Sequence, residues 1–127
     1  MKQKLTMTGN TDTTNLKNTV VEAIKEKKGK EIIVLGLTEL QQSVADFFVI
    51  CHGDSNIQVD AIANNIERQA RTELKEHVLH KEGSENSQWI LLDYGDVVVH
   101  VFQETFRKFY NLEDLWADAN TELIKEE

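Results

Sequence analysis

Cys51 and His52 stand side by side in the run DFFVICH, the two residue types that a thiol nucleophile and its base would need. Adjacent residues on a strand point to opposite faces, so His52 cannot easily serve Cys51 as a base. A small buried thiol is the simpler expectation. With one cysteine in the chain, an internal disulfide is excluded. Four histidines raise the question of metal binding. His77 and His80 fall three apart near a helix end, and His52 and His100 fall on strands. No second cysteine and no dense His/Asp/Glu cluster completes a zinc spacing. Asp93 and Asp96 could act as catalytic carboxylates or metal ligands. They are three apart in a turn rather than two apart on one strand face, and acids there are ordinary turn chemistry. His52-Gly53-Asp54-Ser55 opens a helix whose N-terminus could hold phosphate, but one glycine and an aspartate make a poor cradle. These residues predict no catalytic group, no metal and no cofactor.

Recognition chemistry is better represented. The stretch from Trp89 to Trp116, WILLDYGDVVVHVFQETFRKFYNLEDLW, holds both tryptophans, both tyrosines and three of the five phenylalanines. Large aromatic side chains bury or bind more surface than any others. A turn at Asp93-Tyr94-Gly95-Asp96 would pair Leu92 with Val97, Leu91 with Val98, Ile90 with Val99 and Trp89 with His100. Alternation then puts Trp89, Leu91, Val98 and His100 on one face, beside Asp93 and Asp96. Ile90, Leu92, Val97, Val99 and Val101 fall on the other, which is the better core. The Trp/Leu/Val/His face, rimmed by two acids and Tyr94, mixes group types as an interaction patch does. The alternative is that helices cover both faces.

The elements that would hold these residues follow from periodicity. Leu16, Val20 and Ile24 form one helical stripe, with Ala23 adjacent and Lys27-Lys28-Gly29 as the stop. Ile32–Leu37 and Asp46–His52 read as strands. Ser55 or Asp54 can cap a long helix over about 55–77, with Ile57, Ala61, Ile62, Ile66, Ala70 and Leu74 on its apolar face. Residues 81–87 read as a loop, 88–93 and 97–102 as a hairpin, and 106–119 as a closing helix. The fold class is α/β, a single domain with the order α-β-β-α-β-β-α and a mixed β-sheet packed with helices. Residues 1–14 read as a mobile N-terminal tail, 15–119 as the domain, and 120–127 as a polar C-terminal tail that frays.

Composition agrees with one ordinary domain. The chain has 127 residues, 40% of them hydrophobic, and a net charge of -8. An acidic chain with scattered cations argues against direct gripping of nucleic acid, which needs a basic stripe. Acidity can serve solubility or favour a basic protein partner. No signal-peptide h-region and no run of roughly 20 apolar residues is present, so a cytoplasmic protein with no membrane partner is expected.

Two stretches carry a family resemblance: DFFVIC with Gly53 and Ser55, and Gly83 through Trp116, including WILLDYGDVVVHVF and RKFYNLEDLW. They resemble the ribosomal silencing factors, also called Iojap or RsfS proteins, over essentially the whole domain. The resemblance implies a fold similar in outline to nucleotidyltransferases without their activity. Gly53-Asp54-Ser55 interrupts the Gly-Ser those enzymes need, and no Asp-x-Asp follows in the next strand. It further implies a non-enzymatic repressor of translation under nutrient limitation. The partner would be the large ribosomal subunit, through its protein number fourteen, with joining of the small subunit blocked sterically and homodimers possible. The implied partner-binding residues are Trp89, Leu91, Asp93, Tyr94, Asp96, Arg107 and Tyr110. His52 and Asp54 depart from the family's usual residues. The alternative function is a nucleotidyltransferase-like enzyme or nucleotide-binding module.

Overall fold

The stripe Leu16, Val20, Ala23 and Ile24 is buried along α1 (Thr11–Glu26). Helix α1 ends where Lys28 turns left-handed (φ 65°) and the Gly29 amide donates to Ile24 O at 3.0 Å. Glycine is required at 29 by space, since a Cβ there would lie 2.3 Å from Ile24 Cγ2. Strands β1 (Lys30–Gly36) and β2 (Phe47–Gly53) pair antiparallel. Helix α2 (Asn56–Leu74) starts at Ser55, whose hydroxyl accepts from the Gln58 amide, and stops at left-handed Lys75. Strands β3 (His80–Glu82), β4 (Trp89–Asp93) and β5 (Val97–Gln103) follow. The chain closes with α3 (Glu104–Tyr110), α4 (Leu112–Leu115) and β6 (Asn120–Leu123). These elements come from a computed structural model that describes residues 11–37, 45–115 and 119–125.

The six strands form one mixed sheet in the order β3-β4-β5-β2-β1-β6, with β2 and β5 parallel at its centre. Helices α1 and α2 cover one face. Between them and the sheet lies the larger core, which includes Val20, Ile24, Ile62, Ile66, Ile90, Leu92, Val99 and Val101. Leu35, Leu37, Phe48, Ile50, Val98 and Phe102 form a second core on the opposite face, with half-buried Trp89, Leu91, Phe106 and Leu112 packed against it. Among the described residues no helix is long and apolar enough to cross a membrane.

The single α/β domain with a mixed sheet is as expected, and its edges differ from expectation. Residues 11–14, read as tail, form the first turn of α1, where Thr13 is buried; residues 1–10 lie outside the described set. Part of the loop predicted at 81–87 is β3, and four residues of the polar tail expected to fray are β6, paired with β1. The closing helix expected over 106–119 breaks at Asn111, which turns left-handed (φ 50°). Ile57, assigned to the apolar face of α2, is 78% exposed. It lies roughly 160° around the helix from Val59, which faces the sheet.

Candidate functional site: an aromatic interaction surface

The β4–β5 hairpin turns one residue later than expected. The Asp93 carboxylate accepts from the Gly95 amide at 2.8 Å, and Gly95 takes φ +94° at the first central position of a two-residue turn. Tyr94 therefore extends β4, its amide donating to Val97 O. The register becomes Leu92↔Val99, Leu91↔His100, Ile90↔Val101 and Trp89↔Phe102. A slip of two residues preserves the faces, so Trp89, Leu91, Val98 and His100 do share one side. The same alternation adds Phe102, a fully buried platform that the sequence reading left out.

Tyr94 has the parity of Ile90 and Leu92. It packs with them under the helices rather than rimming the Trp89 face. Its hydroxyl is buried without a hydrogen-bond partner among the described residues, and burial raises its pKa. Asp96 is also turned toward the helices, accepting from the Thr13 hydroxyl on α1 at 3.0 Å. Of the three expected rim residues, only Asp93 stays on the side of Trp89.

Trp89 is half-buried. Its ring lies 4.9 Å from Phe102 and 4.7 Å from Tyr110. Its indole N–H donates to His100 Nδ1 at 3.1 Å. An indole nitrogen can only donate, so this bond puts the His100 proton on Nε2. His100 is buried, which pulls its pKa down to about 4 and keeps the ring neutral. Trp89 thus spends its one polar group internally and offers outward only ring surface.

Tyr110, 47% exposed, continues this surface to Phe109, 78% exposed, at 5.1 Å between ring centroids. Leu115, four residues beyond the Asn111 break, is also exposed. Phe109 and Leu115 were not singled out in the sequence, although both lie in RKFYNLEDLW. Trp116 of that string lies outside the described residues.

Arg107, expected as a contact, is buried. Its Nε and Nη2 donate to Glu113 Oε2 at 3.0 and 2.8 Å, and its Nη1 to His52 Nδ1 at 2.9 Å. Since Arg107 only donates, His52 Nδ1 must accept, and His52 is neutral. Burial first, then the Arg107 charge, lowers its pKa. His52 is therefore engaged away from Cys51, whose thiol lies in the larger core with its pKa pushed up to about 12 by burial. A thiol that stays protonated is no nucleophile at neutral pH. His80 sits 2.6 Å from Glu82, and no group of three or more His, Cys, Asp or Glu among the described residues is placed to hold a metal.

A sheet with two helices on one face and an exposed aromatic patch on the other carries the surface chemistry that protein interfaces use. The comparisons give the family. The model of the family described as ribosomal silencing factor during starvation matches residues 10–127. The chain is 45% identical over 101 residues to the ribosomal silencing factor RsfS of Halalkalibacterium halodurans, covering 80% of this chain and 85% of that protein. It is 46% identical over 97 residues to the Bacillus subtilis RsfS, covering 76% and 80%. An X-ray structure of a Chromobacterium violaceum protein superposes with a TM-score of 0.77 at 36% identity, covering 82% of this chain and 85% of that one. The chain belongs to the ribosomal silencing factor family.

Proposed function

We propose that this protein is a cytoplasmic anti-association factor. It docks on the large ribosomal subunit, against its protein number fourteen, and its bulk there excludes the small subunit. The observation that carries this reading is the continuous aromatic surface of Trp89, Tyr110 and Phe109, with Leu91 on the same face as Trp89. Large aromatic side chains on a rigid frame are the usual anchors of protein interfaces. Trp89 and Tyr110 are bedded on Phe102, so these two rings lose little conformational freedom on docking. Asp93 at the hairpin end and the net charge of -8 suit a basic partner. The names of the relatives describe silencing, a regulatory role that needs no catalytic group.

Co-sedimentation with isolated bacterial large subunits tests the reading, together with the yield of joined ribosomes when small subunits are added. The folded protein should pellet with large subunits and lower that yield. Undiminished joining at saturating protein would overturn the proposal. Thermal shift with nucleotide and magnesium separates it from a nucleotide-binding module, which excess ligand would stabilise.

A further inference from the structure

We infer that Arg107 and Glu113 are positioning residues for the partner-binding surface: together they hold the turn that presents Phe109, Tyr110 and Leu115. The inference rests on the docking role just proposed.

Helices α3 and α4 have seven and four residues. Segments this short have no stability of their own, because nucleation costs more than a turn or two returns. Something outside them must fix the exposed side chains they carry. Arg107 meets that need from the sheet side. Its Nη1 reaches His52 Nδ1 on β2 and Lys30 O on β1, the latter at 3.4 Å. Strand β1 carries one extra residue between Lys30 and Ile33, opposite His52–Ile50 of β2, with Glu31 at φ 51°. At this bulge the Lys30 carbonyl turns to the guanidinium.

Glu113 meets the need from the far side of the turn. Its Oε2 takes two N–H groups of Arg107, in an ion pair whose side chains are 6% and 29% exposed. The backbone closes the same loop. The Asn111 amide donates to Arg107 O at 2.9 Å, the Asp114 amide to Asn111 O at 3.2 Å, and Asn111 Nδ2 to Asp114 Oδ2 at 2.8 Å. Phe109 and Tyr110 sit between two residues that grip each other. A buried guanidinium has few ways to satisfy its donors, so the grip has one geometry. The turn is thus ordered before the partner arrives.

Two measurements test this. First, amide exchange in the free wild-type protein should be slow at Asn111 and Asp114, and rapid exchange at both would overturn the inference without any variant. Second, affinity for isolated large subunits is compared across a cycle of Glu113→Ala, Phe109→Ala and the double variant. Glu113→Ala should weaken binding by about tenfold with β4 and β5 amides still protected, and in the Phe109→Ala background it should add less than about threefold. Glu113→Gln keeps the acceptor oxygen and should recover most of the loss. Full multiplication of the two effects would mean a general weakening of the fold and would overturn the positioning role. Wild-type binding by Glu113→Ala, alongside weak binding by Phe109→Ala, would also overturn it. A folded wild type that fails to bind large subunits refutes the docking reading instead.

Discussion

Acid should destabilise this fold through His100, and the size of the effect follows from where the ring sits. An imidazole in the unfolded chain titrates near 6.5, while the buried ring titrates at about 4. Above about pH 6.5 both states hold it neutral, and the group contributes no pH dependence. As pH falls below that value the unfolded chain takes up a proton that the folded chain does not. Stability then falls until the folded ring also protonates near pH 4. At pH 5 the loss from this one ring is about 2 kcal/mol, and over the whole interval about 3 kcal/mol. His52 is shifted in the same direction and adds to the fall. His100→Gln isolates the first contribution, because glutamine carries no charge and its Oε1 can accept from Trp89 Nε1. The assay is urea unfolding of both proteins at pH 7.5 and pH 5. Wild type should lose about 2 kcal/mol more than His100→Gln across that interval. Parallel losses would refute the burial of a neutral ring beneath Trp89.

Trp89→Ala should cost both binding and stability, since the ring is exposed on one side and bedded on Phe102 on the other. Urea unfolding should show a loss of about 2 kcal/mol, below that of a fully buried Trp, and affinity for large subunits should fall more than tenfold for the fraction that remains folded. Tyr94→Phe removes a buried hydroxyl with no partner among the described residues. It should leave stability unchanged or raise it by about 1 kcal/mol in thermal unfolding, and a comparable loss would mean that the hydroxyl is bonded. Asp93→Asn should slow association with large subunits at low salt, with the difference closing as salt rises, whereas Asp96→Asn, turned toward Thr13, should leave the rate unchanged. Equal rates for both variants and wild type would confine Asp93 to shaping its turn.

What could be read in the sequence was whatever strong periodicity and long apolar runs encode. Helix α2 follows from its helical period and the central strands from their apolar runs, and the two faces of the hairpin follow from alternation, which a register slip of two does not disturb. Tyr94 was misplaced because the turn depends on a local competition: the Asp93 carboxylate captures the Gly95 amide, and Tyr94 is drawn into the strand. Strand β6 was missed because all four of its residues are exposed, so no alternation marks it. Its existence depends on β1, which offers it a free edge some ninety residues earlier in the chain.

Arg107 shows why a site residue and a site-building residue look alike in sequence. The family resemblance carried by RKFYNLEDLW implies Arg107 as a partner contact, and Arg is among the residues that dominate interfaces. Its side chain is buried and paired within the fold, as charged groups inside a protein must be. Two of the groups that satisfy Arg107, His52 Nδ1 and Lys30 O, are 55 and 77 residues away in the chain. No local pattern records such partners. The aromatic residues flanking Arg107 divide in the same way. Phe106 packs toward the second core while Phe109 and Tyr110 face out. The break at Asn111 ends α3 just after Tyr110 and returns the chain so that Glu113 meets Arg107. Had the helix run on to 119 as its composition suggests, no turn would close between Arg107 and Glu113. The exposed surface beside Trp89 is therefore set by one left-handed residue and the Arg107–Glu113 ion pair behind it.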